Sequence, residues 1–207
     1  MITCGECGEV CPRCEPDLYE PVRRCLPEGP SPIILTWSGK RFNLLDPQPE
    51  DVSIFDIARS LANICRFTGH TSRFFSVAEH CVRVSKMVPE EDALYGLLHD
   101  ATEAYVGDLS FPLKHQPEMQ PYLDIEAKVW AAIAAKFGLP EEEPPCVKEA
   151  DRETCRQEGA LLIKGWDDPP HDDPYPYVRC LRPRIAQRIF LARFTELVRD
   201  RDNHGTL

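Results

Sequence analysis

Four side chains with metal-ligand chemistry, His80, His99, Asp100 and Asp151, fall within apolar helical patterns that lie far apart in the chain. Nothing else in the sequence restricts the fold as much. In the first pattern Ser76 is followed three residues on by Glu79, the spacing of a capping box. Val77, Cys81, Val84 and Val88 then recur at helical intervals until Pro89 stops the run. His80 lies on that stripe. A second helix is expected from Glu90 to Gly107, with acidic residues in its first turn and Ala93, Leu94, Leu97, Leu98 and Ala101 facing inward. On it His99, Asp100 and Glu103 share a face, because offsets of three and four are neighbours on a helix. A third helix, about Cys146 to Ile163, carries Asp151 among Val147, Ala150, Thr154, Cys155 and Leu162.

Taken singly, each polar group reads as a core residue with its own hydrogen bonds. Taken together, two buried carboxylates require compensation, and one divalent cation absorbs both along with two imidazoles. Two nitrogens and two oxygens with open positions suit Mn, Fe, Co, Ni or Zn. Glu103, one turn beyond His99, is then the carboxylate left without a metal to bind.

The order of His80 in SVAEH, His99-Asp100 in LLHDATEAYVGDLSFPLK and Asp151 in VKEAD, together with RFTGHT, resembles the HD-domain phosphohydrolases. More narrowly it resembles the YfbR-like 5'-deoxynucleotidase branch, which includes phage-encoded relatives. The resemblance covers about residues 32 to 165. It implies an all-α HD-domain bundle with His80, His99, Asp100 and Asp151 as metal ligands and Glu103 guiding or deprotonating the attacking water. It further implies Arg66 and Lys114 at phosphate and Asp108 close to the sugar, where it disfavours a 2'-hydroxyl. Phe67 stands where the branch has tryptophan. Only eighteen residues separate His80 from His99, a shorter span than in the bacterial nucleotidase.

The chemistry is consistent with these residues. An anionic phosphate ester needs positive charge at the phosphoryl oxygens and a nucleophile available at neutral pH, and a bound metal supplies both. The expected reaction is hydrolysis of a deoxyribonucleoside 5'-monophosphate. A triphosphohydrolase releasing triphosphate from a dNTP needs the same residues. A reading from a different class is a nucleotide-sensing or zinc-dependent interaction module without turnover.

The amino terminus supports that last reading. Cys4, Cys7, Cys11 and Cys14 form two CxxC pairs three residues apart, with Cys25 nearby. Paired thiols at this spacing favour a structural Zn, with Cys25 as a substitute ligand; disulfides, free thiols or an iron-sulfur cluster are the alternatives. The expected organisation is a Cys-rich segment over 1–31 and an HD domain over 32–207. No basic and apolar leader is evident, and no apolar run is long enough to span a membrane. The ten cysteines are therefore expected to be reduced, in the cytoplasm. A net charge of −10 argues against a polymeric nucleic-acid partner, which would call for a basic face. A small nucleotide needs only local positive charge. Relatives of the branch are often homodimers.

The remaining expectations concern the frame. They are a hairpin over IILTWSGKRFNLL turning at Ser38-Gly39-Lys40, a helix from about Ser53 to Ile64, and an Ile125, Val129, Ile133, Phe137 ladder ended by Gly138. The stretch WDDPPHDDPYPY reads as an irregular loop. A closing amphipathic helix carries Ile185, Ile189, Phe190, Phe194 and Leu197.

Overall fold

The computed structural model describes residues 31–166 and 178–203, nearly all of them in the compact unit that begins at Pro32. Cys4, Cys7, Cys11, Cys14 and Cys25, and most of WDDPPHDDPYPY, lie outside the described residues.

The unit is mostly helical, with one short hairpin. Strands β1 (Ile33–Leu35) and β2 (Arg41–Asn43) pair antiparallel, Ile34 opposite Phe42. Gly39, at φ 84°, makes the turn between them. Helix α1 (Ile54–Leu61) is capped by Ser53, whose hydroxyl accepts from the Asp56 amide. Asp56 also fixes the hairpin, accepting from the Ser38 amide at 2.8 Å and the Ser38 hydroxyl at 2.6 Å. Phe42 is fully buried and stacks on Tyr105 with ring centroids 3.9 Å apart.

Helix α2 (Val77–Met87) is the centre of the bundle, packing against α3 (Ala93–Leu98), α7 (Pro145–Leu162) and α8 (Pro183–Asn203). Every residue from Val77 to Ser85 is buried, so α2 is enclosed on all sides and not only along the stripe its sequence shows. Around it Ile57, Leu61, Leu97, Leu98, Ile133 and Phe190 form the core. Burial of each such side chain contributes about 1.5–3 kcal/mol. Helix α6 (Gln120–Phe137) ends, as its sequence indicates, at Gly138 in the left-handed conformation. In α8 the inward residues are Ala186, Phe190 and Leu197, whereas Ile185 is 40% exposed, contrary to its assignment to the buried face.

The single helix expected from Glu90 to Gly107 is interrupted. A 3₁₀ turn over Glu90–Asp92 leads into α3, and α4 (Glu103–Val106) begins only after the His99-Asp100 dipeptide. Between them the backbone tightens to i→i−3 bonds, from the Ala101 amide to the Leu98 carbonyl and from the Glu103 amide to the Asp100 carbonyl. The cause is local. His99 Nδ1 donates to the Gly96 carbonyl at 2.8 Å, the acceptor that an uninterrupted helix would offer the Asp100 amide. α5 (Phe111–Lys114) follows the turn at Gly107, whose φ is 84°.

Candidate metal centre

Three elements carry the donors to one place: α2 supplies His80, the overwound turn after α3 supplies His99 and Asp100, and α7 supplies Asp151. His80 Nε2 lies 3.0 Å from Asp151 Oδ1 and 3.7 Å from Asp100 Oδ2. His99 Nε2 lies 3.2 Å from Asp100 Oδ2 and 3.7 Å from Asp151 Oδ1. Four donors thus form a closed ring. Two of its sides, at 3.0 and 3.2 Å, match the edges, roughly 3.0–3.5 Å, of a coordination polyhedron with bonds of roughly 2.1 Å, and the two at 3.7 Å are slightly longer.

Both imidazoles are oriented for such a cation. His80 Nδ1 is 2.9 Å from Glu158 Oε2 and His99 Nδ1 is 2.8 Å from the Gly96 carbonyl. These partners only accept, so each Nδ1 carries the proton and each Nε2 is turned to the ring. Although buried, His99 Nε2 has no hydrogen-bond partner. The donor set therefore fits a divalent cation, with His80, His99, Asp100 and Asp151 as the residues to hold it.

The electrostatics agree. Burial opposes ionisation of Asp100, yet His99, then His80 and Arg66, hold its carboxyl well below the usual range. Burial likewise opposes ionisation of Asp151, and His80 and His99 overcome it. In return, and against the effect of burial, Asp100 and Asp151 push the His99 imidazole well above its ordinary value. A proton and a dication compete for that nitrogen.

Glu103 lies at the start of α4, buried, with Oε2 lacking a hydrogen-bond partner. Burial, then Asp100 and Asp108, raise its carboxyl well above the ordinary value, with Arg66 and Lys114 pulling the other way. Arg66 arrives from the loop after α1. Its Nη1 is 3.3 Å from Asp100 and its Nε 3.3 Å from Glu158. Asp108 is half-buried in the turn after Gly107, its carboxyl raised first by burial. Lys114 is engaged elsewhere, its Nζ 2.8 Å from the Glu126 carboxylate.

Phe67 sits in a left-handed turn, with φ 55° at Phe67 and 53° at Thr68. The Arg66 guanidinium lies 5.5 Å from its ring, and Trp166 meets it edge-on at 5.8 Å. Trp166 in turn lies over Gly159 of α7, where an added Cβ would come within 2.4 Å of the indole. Gly159→Ala is expected to dislodge Trp166 from Phe67. Helix propensity returns up to about 1 kcal/mol, against an overpacking cost of about 1–3 kcal/mol. The expected result is a red-shifted tryptophan emission with a small loss of thermal stability; an unchanged spectrum would show that the indole does not rest on Gly159.

No protein-family model matches the chain. It is 38% identical over 185 residues to an uncharacterized protein of Rhodobacter capsulatus, RCAP_rcc00048, an alignment spanning 78% of this chain and 93% of that protein. The chain belongs to that protein's family. A second relative, the uncharacterized protein YfdR of Escherichia coli K12, is 48% identical over 119 residues, 58% of this chain and 66% of YfdR, just under two thirds of its length. The resemblance to HD-domain enzymes is carried by the residues of the site and not by a family match.

Two features of the site are absent from the sequence reading. Glu158, fully buried in α7, contacts His80, Arg66 and Arg83, the last at 3.2 Å. Its only signal in the sequence is its place two helical turns beyond Asp151. Cys155, expected in the core, is partly exposed and lies beside Arg66, whose charge opposes the rise that burial imposes on its thiol. Among the described residues no helix is long and apolar enough to cross a membrane.

Proposed function

We propose that this protein is a divalent-metal-dependent phosphohydrolase of the HD type that cleaves a deoxyribonucleoside 5'-monophosphate to deoxynucleoside and phosphate. The observation that carries the reading is the closed ring of His80, Asp151, His99 and Asp100 donors with Glu103, unpartnered at Oε2, beside it. A buried carboxylate oxygen without a hydrogen bond, beside such a donor ring, is uncommon in a purely structural cluster and supports a functional one.

A cation held by the ring supplies positive charge at the phosphoryl oxygens and acidity for a water molecule. Arg66 binds a non-bridging phosphate oxygen through its outer nitrogens while Nε stays against Glu158. Glu103 accepts the proton of the attacking water and returns it to the leaving 5'-oxygen. Asp108 is placed close to the sugar, where, by the resemblance, it disfavours a 2'-hydroxyl. Lys114, held by Glu126, adds positive charge close to Glu103 and favours its carboxylate. Phe67 and Trp166 form an apolar wall beside Arg66.

Product analysis with a panel of deoxy- and ribonucleoside mono- and triphosphates tests this. Turnover should require added Mn or Co, stop on chelation, and release nucleoside and orthophosphate from the deoxy monophosphates. Release of triphosphate would instead identify a dNTP triphosphohydrolase. Nucleotide binding without any product would assign the protein to the sensing class.

A further inference from the structure

We infer that Glu158 is a positioning residue that presents His80 to the cation and Arg66 to the phosphate from a single buried carboxylate. The inference rests on the metal reading above and extends it to a residue outside the donor ring.

Glu158 is fully buried, and its two oxygens meet three partners. His80 Nδ1 is 2.9 Å from Oε2 and 3.1 Å from Oε1, Arg66 Nε is 3.3 Å from Oε2, and Arg83 Nε is 3.2 Å from Oε1. Arg83 is itself fixed, its Nη2 donating to Gln157 at 3.1 Å. A buried carboxylate without such partners would be strongly unfavourable, so the cluster locks Glu158 in one position. That position has two consequences. It keeps the His80 proton on Nδ1, which turns Nε2 to the ring and makes the ring nitrogen a stronger donor. It also draws the Arg66 guanidinium in as a buried ion pair at Nε, without a hydrogen bond there, and leaves Nη1 toward Asp100. Gln in place of Glu158 can still accept from His80 with its carbonyl, but its amide group then faces a guanidinium.

The test uses the folded full chain, verified by circular dichroism, and Co²⁺ as the probe. Calorimetry should show Co²⁺ binding weakened by about 10-fold in Glu158→Gln and up to about 100-fold in Glu158→Ala. Inorganic phosphate should bind the Co²⁺-loaded variants more weakly as well. Proton NMR of the Co²⁺-loaded wild type supplies a second readout that needs no variant. Two exchangeable, hyperfine-shifted imidazole N–H signals are expected, one from each metal-binding histidine. In Glu158→Gln the His80 signal should move and exchange faster, while the His99 signal, secured by the Gly96 carbonyl, should stay. Unchanged Co²⁺ affinity and an unchanged His80 signal in Glu158→Gln would overturn the inference alone. So would a wild type whose His80 N–H exchanges freely. Failure of the wild type to bind Co²⁺ would overturn the metal reading, and this inference with it.

Discussion

Replacing Glu103 by glutamine is expected to lower nucleotide turnover by about 10²–10⁴-fold while leaving Co²⁺ affinity unchanged. Glutamine preserves the shape and fills the same buried space, but it has no basic oxygen to take a proton from water. Glu103 is not one of the four ring donors, so the cation should not register its loss. The same substitution has an opposite effect on stability in the chelated protein. There burial, Asp100 and Asp108 raise the Glu103 carboxyl well above its ordinary 4.5. An acid whose pKa is higher in the fold than in the unfolded chain holds its proton more tightly when folded. Its stabilisation is complete below 4.5 and is lost as pH rises through the raised value. Glutamine does not ionise and suffers no such loss. Glu103→Gln should therefore unfold at a higher temperature than the wild type at alkaline pH, each kcal/mol of relief being worth about 2–4 °C, and the two should converge in acid. Thermal scans across pH with chelator present measure this. A glutamine variant that turns over at the wild-type rate would remove Glu103 from the mechanism, and parallel melting curves at every pH would show that its carboxyl is not strained in the fold. A bound dication reverses the local balance and favours the ionised form. On the proposed mechanism, the group that costs stability without the cation is the one the reaction would use with it, a common trade between stability and activity.

Which parts of this molecule were legible in the sequence follows from range. The helices were legible where apolar spacing and a local stop agree, as at Pro89 after α2 and Gly138 after α6. That His80, His99, Asp100 and Asp151 come together was legible because an ionisable group on an apolar stripe violates the pattern around it, and four such violations share one remedy. The interruption at His99 was not. Gly96 and His99 are ordinary in a helix, and only the side chain's turn back onto a carbonyl reveals the break. Glu158 was missed for another reason. Its neighbours Gln157 and Gly159 are buried with it, and a QEG triplet near a helix end reads as solvent-facing until Arg66, Arg83 and His80 arrive from other elements. Asp108 and Lys114 were named by resemblance. The structure brings Asp108 within the field of Arg66 and Asp100 but pairs Lys114 with Glu126, a partner twelve residues away on another helix.

Glu79 shows the same limit and yields the second large effect. The Ser76–Glu79 spacing predicts a reciprocal capping box, and half of it forms: the Ser76 hydroxyl accepts from the Glu79 amide at 3.2 Å. The Glu79 carboxylate goes elsewhere. It accepts from three successive backbone amides, those of Arg179 at 2.7 Å, Cys180 at 3.1 Å and Leu181 at 2.8 Å, in the segment that leads into α8. Cys180 takes a φ of 53°, the left-handed conformation that turns consecutive amides to one side and forms an anion-binding concavity. Each amide bond to a charged acceptor is worth about 1.5–3 kcal/mol, but burying the carboxylate offsets part of that, as its raised pKa indicates. The net cost of Glu79→Ala should therefore be about 2–4 kcal/mol, or about 4–16 °C in Tm, with Glu79→Gln in between because its single carbonyl oxygen replaces two. The loss should not be confined to stability. α8 packs on α1, α2 and α3, and Glu79 is the residue before His80, so freeing the 179–181 segment loosens the wall behind the first of the candidate donors. Hydrogen exchange should report faster opening of α8 in Glu79→Ala, and Co²⁺ should bind more weakly even well below the melting temperature. Protection in α8 equal to that of the wild type would mean that the helix is held by its apolar face alone, through Ala186, Phe190 and Leu197, and that the amide clamp contributes nothing to it.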